Sequence, residues 1–398
     1  MKILVVNYRD RKHPAAGGAE KHLHRIFSRI VGMGHQVVLL TTAFAGAQER
    51  EIVDGIQVVR KGGDLLFQLT VAKNLKALDR EFHFDVVVED LNKLPVFTPQ
   101  LTKKPVLVQM HHLWRKSIFA EACFPVAFGV WLFETIIPWF YKRKNFVVVS
   151  PSTKQELSAL GIPEKQIEVV YNGSDDLPQT ASRAGTVPGT ALRAETARGA
   201  AQIAPEKSAE TAPAPYFLWL SRVHKYKGIW TALEAFEIFA KSHPDVKLKI
   251  AGDGPLLKRI PAWLNARGLS ERVMLCGFAS LEKKQNLLAG AVALLQTSYK
   301  EGWGLTVMEA AAHQVPSIAS DVPGLRDSVR NGETGVLFPA GDANACAAAM
   351  SKVYEDSALQ KSLGEAAANY AKSFSWETAT DQTLKLLEQV VAEAKAGM

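Results

Sequence analysis

The sequence predicts an α/β protein of two parallel, doubly wound sheets facing each other across a cleft. Three observations lead there. Short Val/Ile/Leu-rich runs alternate with helical patterns, the alternation occurs twice, and a stretch without any aromatic residue separates the two series. Strands covered on both faces read as near-continuous apolar runs, and strand–helix alternation is the mark of a parallel sheet.

The first series runs KILVVN, QVVLLTT, IQVVR, DVVVED, PVLVQM, FVVVS and IEVVY. The second runs YFLWLS, VKLKIAG, VMLCG, AVALLQT, PSIAS and TGVLF. Helical stretches such as AEKHLHRIFSRIVGMG and IWTALEAFEIFAKSH lie between strands. Residues 1–179 are expected to form one lobe and 216–375 the other. The break, 180–215, is rich in Ala, Thr, Pro and Gly. It can bury little apolar surface and is expected to be a linker or surface excursion, with a frayed helix around Ala191–Ile203 as the alternative. Residues 376–398 read as an amphipathic helix with Leu384, Leu387 and Val391 on one face.

The totals agree. The chain has 398 residues, 47% of them hydrophobic and 22% charged, which is globular composition with room for two domains. A net charge of +7 fits a phosphate-bearing ligand or an anionic membrane surface. Without a long basic tract, nucleic acid is not an expected partner. Cys123, Cys276 and Cys346 are far apart and form no CxxC pair, so neither a disulfide scaffold nor a zinc site is expected. The start, MKILVVNYRD, reads as a strand followed by charges rather than a signal peptide. A cytoplasmic location is expected, at the inner face of a membrane if the next segment docks there.

That segment is IFAEACFPVAFGVWLFETIIPWFY, from Ile118 to Tyr141. Glu121 and Glu134 leave twelve uncharged residues between them, too few to span a bilayer. Trp131, Trp139 and the following Lys142-Arg143-Lys144 suit a helix lying on a membrane surface. The plainer reading, which the sequence favours, is a helix buried in a domain core with solvent-facing charges at its end.

In open parallel sheets, ligands bind beyond the carboxyl ends of the strands. Four strand-to-helix loops qualify. In AAGGAEKH, Gly17 and Gly18 open a helix, either to admit an anion to its N-terminal amides or simply to turn tightly. In SRVHKYKG, Arg222 and Lys227 follow a strand and suit a diphosphate, although loop cations are often merely solvated. AGDGP holds only part of a dinucleotide fingerprint. In SYKEGWG, Glu301 precedes a helix expected to begin near Leu305, and Glu309 lies in its first turns. The amides of Gly302, Trp303, Gly304 and Leu305 are the open donors of that helix start. Such donors hold phosphate or sugar oxygens, and carboxylates accept from sugar hydroxyls. An exposed loop acid and a dipole-favoured first-turn acid are the plainer readings of the two glutamates. His111 and His112 end a strand, where neighbours face opposite sides, so one is expected to reach the cleft. No third ligand gives them metal-site spacing, and no metal is expected.

Taken in order, GGAE, GHQVVLLTT, the His111 strand end, VVVSPSTKQEL, VVYNGSD, SRVHKYKG, AGDGP, EGWGLTVME, DVPGLRDSVRNGETGVLF and FSWE resemble the family-4 retaining glycosyltransferases of the GT-B fold. EGWGLTVME matches the E-x7-E signature of that family. The resemblance covers nearly the whole chain. It implies two facing Rossmann-like domains and transfer of a sugar from a UDP- or GDP-linked donor to an acceptor hydroxyl. It further implies retained anomeric configuration, no metal or other cofactor, and a role in envelope or exported glycan synthesis. Gly17, Gly18, Arg222 and Lys227 would hold the diphosphate. Glu301 and the amides after it would hold the sugar, Glu309 the ribose, and His111 would sit beside the reacting carbon. The last helix would cross back to the first lobe. Ser221, Gln314, Pro323 and Asp327 depart from the usual pattern and bear on donor choice.

Arg9, Arg11, His13 and the Glu89-Asp90-Asn92 loop are acceptor-side candidates by position. Hydrolysis by a Glu301/Glu309 pair requires both carboxyls to flank one bond, which a loop acid and a helix acid do not favour. A nucleotide-sugar epimerase and a non-catalytic nucleotide-sugar-binding protein are the remaining alternatives.

Overall fold

The structure, a computed structural model, describes residues 1–91, 94–174 and 214–396. The first sheet contains β1 (Lys2–Val6), β2 (Gln36–Thr41), β3 (Arg50–Val53), β4 (Ile56–Arg60), β5 (Val86–Leu91), β6 (Val106–Met110), β7 (Asn145–Val148) and β8 (Ile167–Val169), in the order 3-4-2-1-5-6-7-8. The second contains β9 (Tyr216–Leu220), β10 (Lys247–Ala251), β11 (Val273–Gly277), β12 (Leu294–Gln296), β13 (Ser317–Ser320) and β14 (Gly335–Phe338), in the order 11-10-9-12-13-14. Every pairing is parallel except β3 with β4. Of the expected 180–215 break, all but the last two residues lie outside the described residues.

The period of two along each strand explains the layers. Leu4 and Val6 of β1 pack with Phe67, Val71 and Leu75 of the helix Phe67–Phe82 on one face. Ile3 and Val5 pack on the other face with Leu23, Ile26 and Ile30 of the helix Gly18–Gly32. The second sheet repeats this. Phe217 and Trp219 face the helix Ile229–Ala240, while Leu218 and Leu220 face the helix Leu305–Ala312. Burying strands on both faces is what their unbroken apolar runs require.

Strand order reverses between β1 and β5 in the first sheet and between β9 and β12 in the second. Connections leave in opposite directions at such a point and open a crevice beyond the strand ends. The two crevices face each other.

The helix Trp376–Ala396 returns to the first lobe. Trp376, Ala379, Leu387 and Val390 are buried against the same cluster as Ile3 and Leu23, with Leu384 and Val391 partly buried beside them. Removing a large buried aromatic leaves a cavity, so Trp376→Ala is expected to lower unfolding stability by about 3–5 kcal/mol. Urea denaturation measures this; a change near zero would mean that the helix is not anchored through this side chain.

The segment 118–141 departs from the expected core helix. The helix Phe124–Phe140 is not buried in a core. Only Ala127, Glu134 and Ile137 of it are buried, while Phe124, Phe128, Leu132 and Trp139 are exposed.

Candidate active site

The loops that leave the two switch points line one cavity of about 360 Å³. From the first lobe come Gly17 and Gly18 after β1, and His111 and His112 after β6. From the second come Arg222 and Lys227 after β9, and Glu301 with the turn Gly302 to Leu305 after β12. Four loops far apart in sequence are therefore brought together, as the position beyond the strand ends requires.

The cations are held by specific partners. Lys227 Nζ lies 2.5 Å from Glu301 Oε1. Gln296 Nε2 and Ser298 Oγ also donate to that oxygen, at 2.8 and 2.9 Å. Burial works against the Lys227 charge, yet Glu301 and Tyr226 outweigh it and raise its pKa, so the ammonium persists. Arg222 Nη2 donates to Tyr226 Oη at 2.7 Å. Tyr226 in turn meets Trp114 edge-on, with ring centroids 5.1 Å apart.

Facing them, the helix Gly18–Gly32 begins at the cavity wall. The Glu20 carboxylate accepts from Gly17 N–H at 2.6 Å, satisfying one open amide at the helix start. A side chain on Gly17 would begin 3.6 Å from the Arg222 guanidinium carbon, so the helix start and the cation stand directly opposed. Gly302 is the tightest point. A Cβ there would lie 2.2 Å from the His111 carbonyl oxygen, a separation that only glycine permits.

His111 is buried, and its Nε2 donates to Asp90 Oδ1 at 2.8 Å. Burial opposes its charging, but Asp90, then Glu20, more than offset this and raise its pKa. The edge of the His22 ring packs on it at 4.9 Å, and His22 Nδ1 donates to Asn172 Oδ1 at 2.5 Å. Burial, followed by His111, pushes His22 down to about 4. Burial, followed by the charges of Lys300, His111, Lys227 and Arg222, pushes His112 down to about 3. Of the three rings, only His111 is poised to charge near neutrality.

Several expectations change. Both histidines of the strand end line the cavity, not one. Glu309 does not line it; its Oε1 is bound by Lys21 Nζ at 2.6 Å and Lys284 Nζ at 2.7 Å, one lysine from each lobe. The Trp303 side chain is only 2% exposed and packs with Tyr171 and Phe374, so that residue offers the cavity its backbone rather than its ring. In AGDGP, a Cβ on Gly252 would meet the Ser221 carbonyl oxygen at 1.8 Å, so this glycine serves loop packing.

Among the acceptor-side candidates, Arg9 lines the cavity and pairs with Asp64 at 3.1 Å. Arg11 pairs instead with Asp54, outside the cavity. His13 is likewise outside the cavity lining; its Nδ1 accepts from Ala15 N–H. Glu89 is fully buried and accepts from Val96 and Thr98 amides and from Tyr141, which makes it structural. Asn92 lies outside the described residues. Lys21, Tyr226, Trp114 and Asn172 were not singled out from sequence, and only Tyr226, beside Lys227, carried a local signal.

A profile of group 1 glycosyl transferases matches residues 201–370, and one of glycosyltransferase family 4 matches residues 16–176. The chain belongs to the family-4 glycosyltransferases. As a glycosyltransferase, it takes its sugar from a nucleotide donor. It is 24% identical over an alignment of 430 residues to a glycogen synthase of Mycobacterium tuberculosis, covering 100% of this chain and 96% of that one. It is 29% identical over 178 residues to an α-D-kanosaminyltransferase of Streptomyces kanamyceticus, 44% of this chain and 46% of the relative. Its fold matches sucrose-phosphate synthase from Thermosynechococcus elongatus with a TM-score of 0.79 at 20% identity, over 98% of this chain and 99% of that one. The Anabaena protein HepE, in complex with UDP and glucose, matches with a TM-score of 0.74 at 18% identity, over 98% of this chain and 100% of that one. These likenesses establish the GT-B fold.

Because the two lobes of the glycosyltransferase meet closely at Gly302, Gly302→Ala is expected to hold them apart. A misplacement of about 1 Å lowers turnover by about 10²-fold. Small-angle scattering should show a larger radius of gyration alongside that loss. Unchanged scattering and turnover would refute the tight contact.

Proposed function

We propose that this glycosyltransferase transfers a sugar from a UDP- or GDP-linked donor to an acceptor hydroxyl with retention of anomeric configuration. The observation that carries this reading is the opposition of Arg222 and Lys227 to the helix start at Gly17 and Gly18, with Glu301 between the lobes. In this reading, the bond from the anomeric carbon to the diphosphate oxygen breaks while the acceptor oxygen bonds to the same face of that carbon. The acceptor proton passes to the leaving diphosphate. Negative charge would grow on that leaving group, and the two cations and the helix amides, which line the same cavity, would stabilise it without reorganising. They stand where a metal ion would otherwise act, so activity is expected to survive EDTA; its abolition, restored by a divalent cation, would contradict this.

Glu301 and the amides after it would receive the sugar hydroxyls. The Lys227–Glu301 pair sets both groups before the donor arrives. For Glu309 to hold a ribose, its carboxylate must share itself between the sugar and its two lysines. His111 would orient the sugar ring rather than remove a proton. Synthesis of an envelope or exported glycan is the proposed setting, and Arg9 is the cation offered to the acceptor.

Removing one such electrostatic donor typically costs roughly 3–4 kcal/mol, so Arg222→Ala or Lys227→Ala should lower turnover by about 10²–10³-fold. Near-normal turnover in both would remove the assignment. A thermal-shift screen across nucleotide sugars tests the donor itself, since a ligand bound only by the native state stabilises it. Stabilisation by neither UDP- nor GDP-sugars would end the reading.

Asp90 raises the His111 pKa, so Asp90→Asn should lower it. In the wild type, the stability from this charged pair is complete below a pH of about 6.5 and fades as pH rises through the raised value. Urea denaturation of both proteins across that interval, with the His111 resonance followed by NMR, should show the dependence lost in the variant. Parallel pH curves would show that the pair is not charged.

A further inference from the structure

The helix Phe124–Phe140 is amphipathic in the wrong sense for a soluble protein. Its one charge, Glu134, points inward, where its carboxylate accepts from Trp114 N–H at 2.6 Å and Arg115 N–H at 2.7 Å. Its outward face carries Phe128, Leu132, Phe133 and Trp139, the last 79% exposed. The apolar surface is continuous. Phe119 meets Phe124 at 5.9 Å, Phe124 stacks on Phe128 at 6.0 Å, and Phe128 meets Trp131 at 5.8 Å. A contiguous apolar patch of this kind marks an interaction surface.

Charge selects the partner. Lys116 precedes the patch, and Lys142 and Arg143 follow it; all three are exposed and make no ion pair among the described residues. No exposed carboxylate lies on the helix itself. An apolar face rimmed by unpaired cations matches a bilayer with anionic headgroups. No helix among the described residues is long and apolar enough to cross a membrane. We propose that this face lies in the surface of an anionic phospholipid membrane, as a docking site and not a span.

The location gives the docking a purpose. Trp114, whose amide Glu134 holds, lines the cleft cavity. Glu121, just before the helix, accepts from Tyr226 N–H at 2.7 Å in the opposite lobe. A docked helix thus brings the mouth of the cleft to the headgroups, where a lipid-borne acceptor would present its hydroxyl.

The test is flotation of the full chain with vesicles of phosphatidylcholine, with and without phosphatidylglycerol, in the absence of donor and acceptor. Failure there leaves the sugar-transfer reading untouched. The wild type is expected to float with anionic vesicles and to be released by salt. Lys142→Gln/Arg143→Gln should weaken binding by about thirtyfold. Phe128→Glu/Leu132→Glu should abolish it with the thermal melt unchanged, since both side chains face solvent; Trp139→Ala should weaken it and serves if the double variant unfolds. Absence of flotation at low salt, variants that float like the wild type, or equal flotation with neutral vesicles would overturn the proposal. So would a dimer that Leu132→Glu dissociates and that ignores vesicles, since a second copy would then be the occupant.

Discussion

The contact between Gly302 and the His111 carbonyl is the constraint on which the site depends. It lets the second lobe come within a few ångströms of the first, and so places Glu301 beside residues from four loops. Around it, the lobes are joined by Lys300 with Glu156, by the Asp327 carboxylate on Ser152 N–H at 3.0 Å, and by Lys21 with Glu309. Lys300 is buried, whereas the Lys21–Glu309 pair is partly exposed, where such a pair contributes little. Shape at Gly302 sets how near the lobes come, and the ion pairs add to it.

Within the cleft, positive charge is concentrated but seldom unopposed. Lys227 is matched by Glu301, and the neighbouring rings His112 and His22 are held neutral. A site of fixed dipoles and paired ions needs no rearrangement when a dianion arrives, and that fixity is the larger part of electrostatic catalysis.

Much of this was legible in the sequence, for local reasons. All thirteen apolar runs became strands, because a strand buried on both faces must be apolar throughout. The edge strand β3 was missed, although Asp54-Gly55 announces its hairpin: both residues have positive φ, 52° and 81°. Gln314 likewise adopts a positive φ of 58°. The loops of the site were legible because glycine, cations and acids at strand ends have few uses. Pairings across the cleft were not. Nothing in the sequence near Glu309 points to Lys21, which lies 288 residues away, and nothing near Asp90 points to His111. For Phe124–Phe140 the sequence left two readings open, a core helix and a surface one, since composition does not say which side of a helix meets the core; the exposed Phe128, Leu132 and Trp139 decide between them.

The chain leaves the first lobe and re-enters it at one spot. Ser174 N–H donates to the Phe374 carbonyl at 2.9 Å, and the Gly173 backbone lies directly against Trp376. Topologically, the second lobe is a cassette inserted into the first, with both seams stitched together at one spot. Because the seams coincide, the covalent crossings brace the lobes at a single place, and their relative placement is left to the contacts across the cleft.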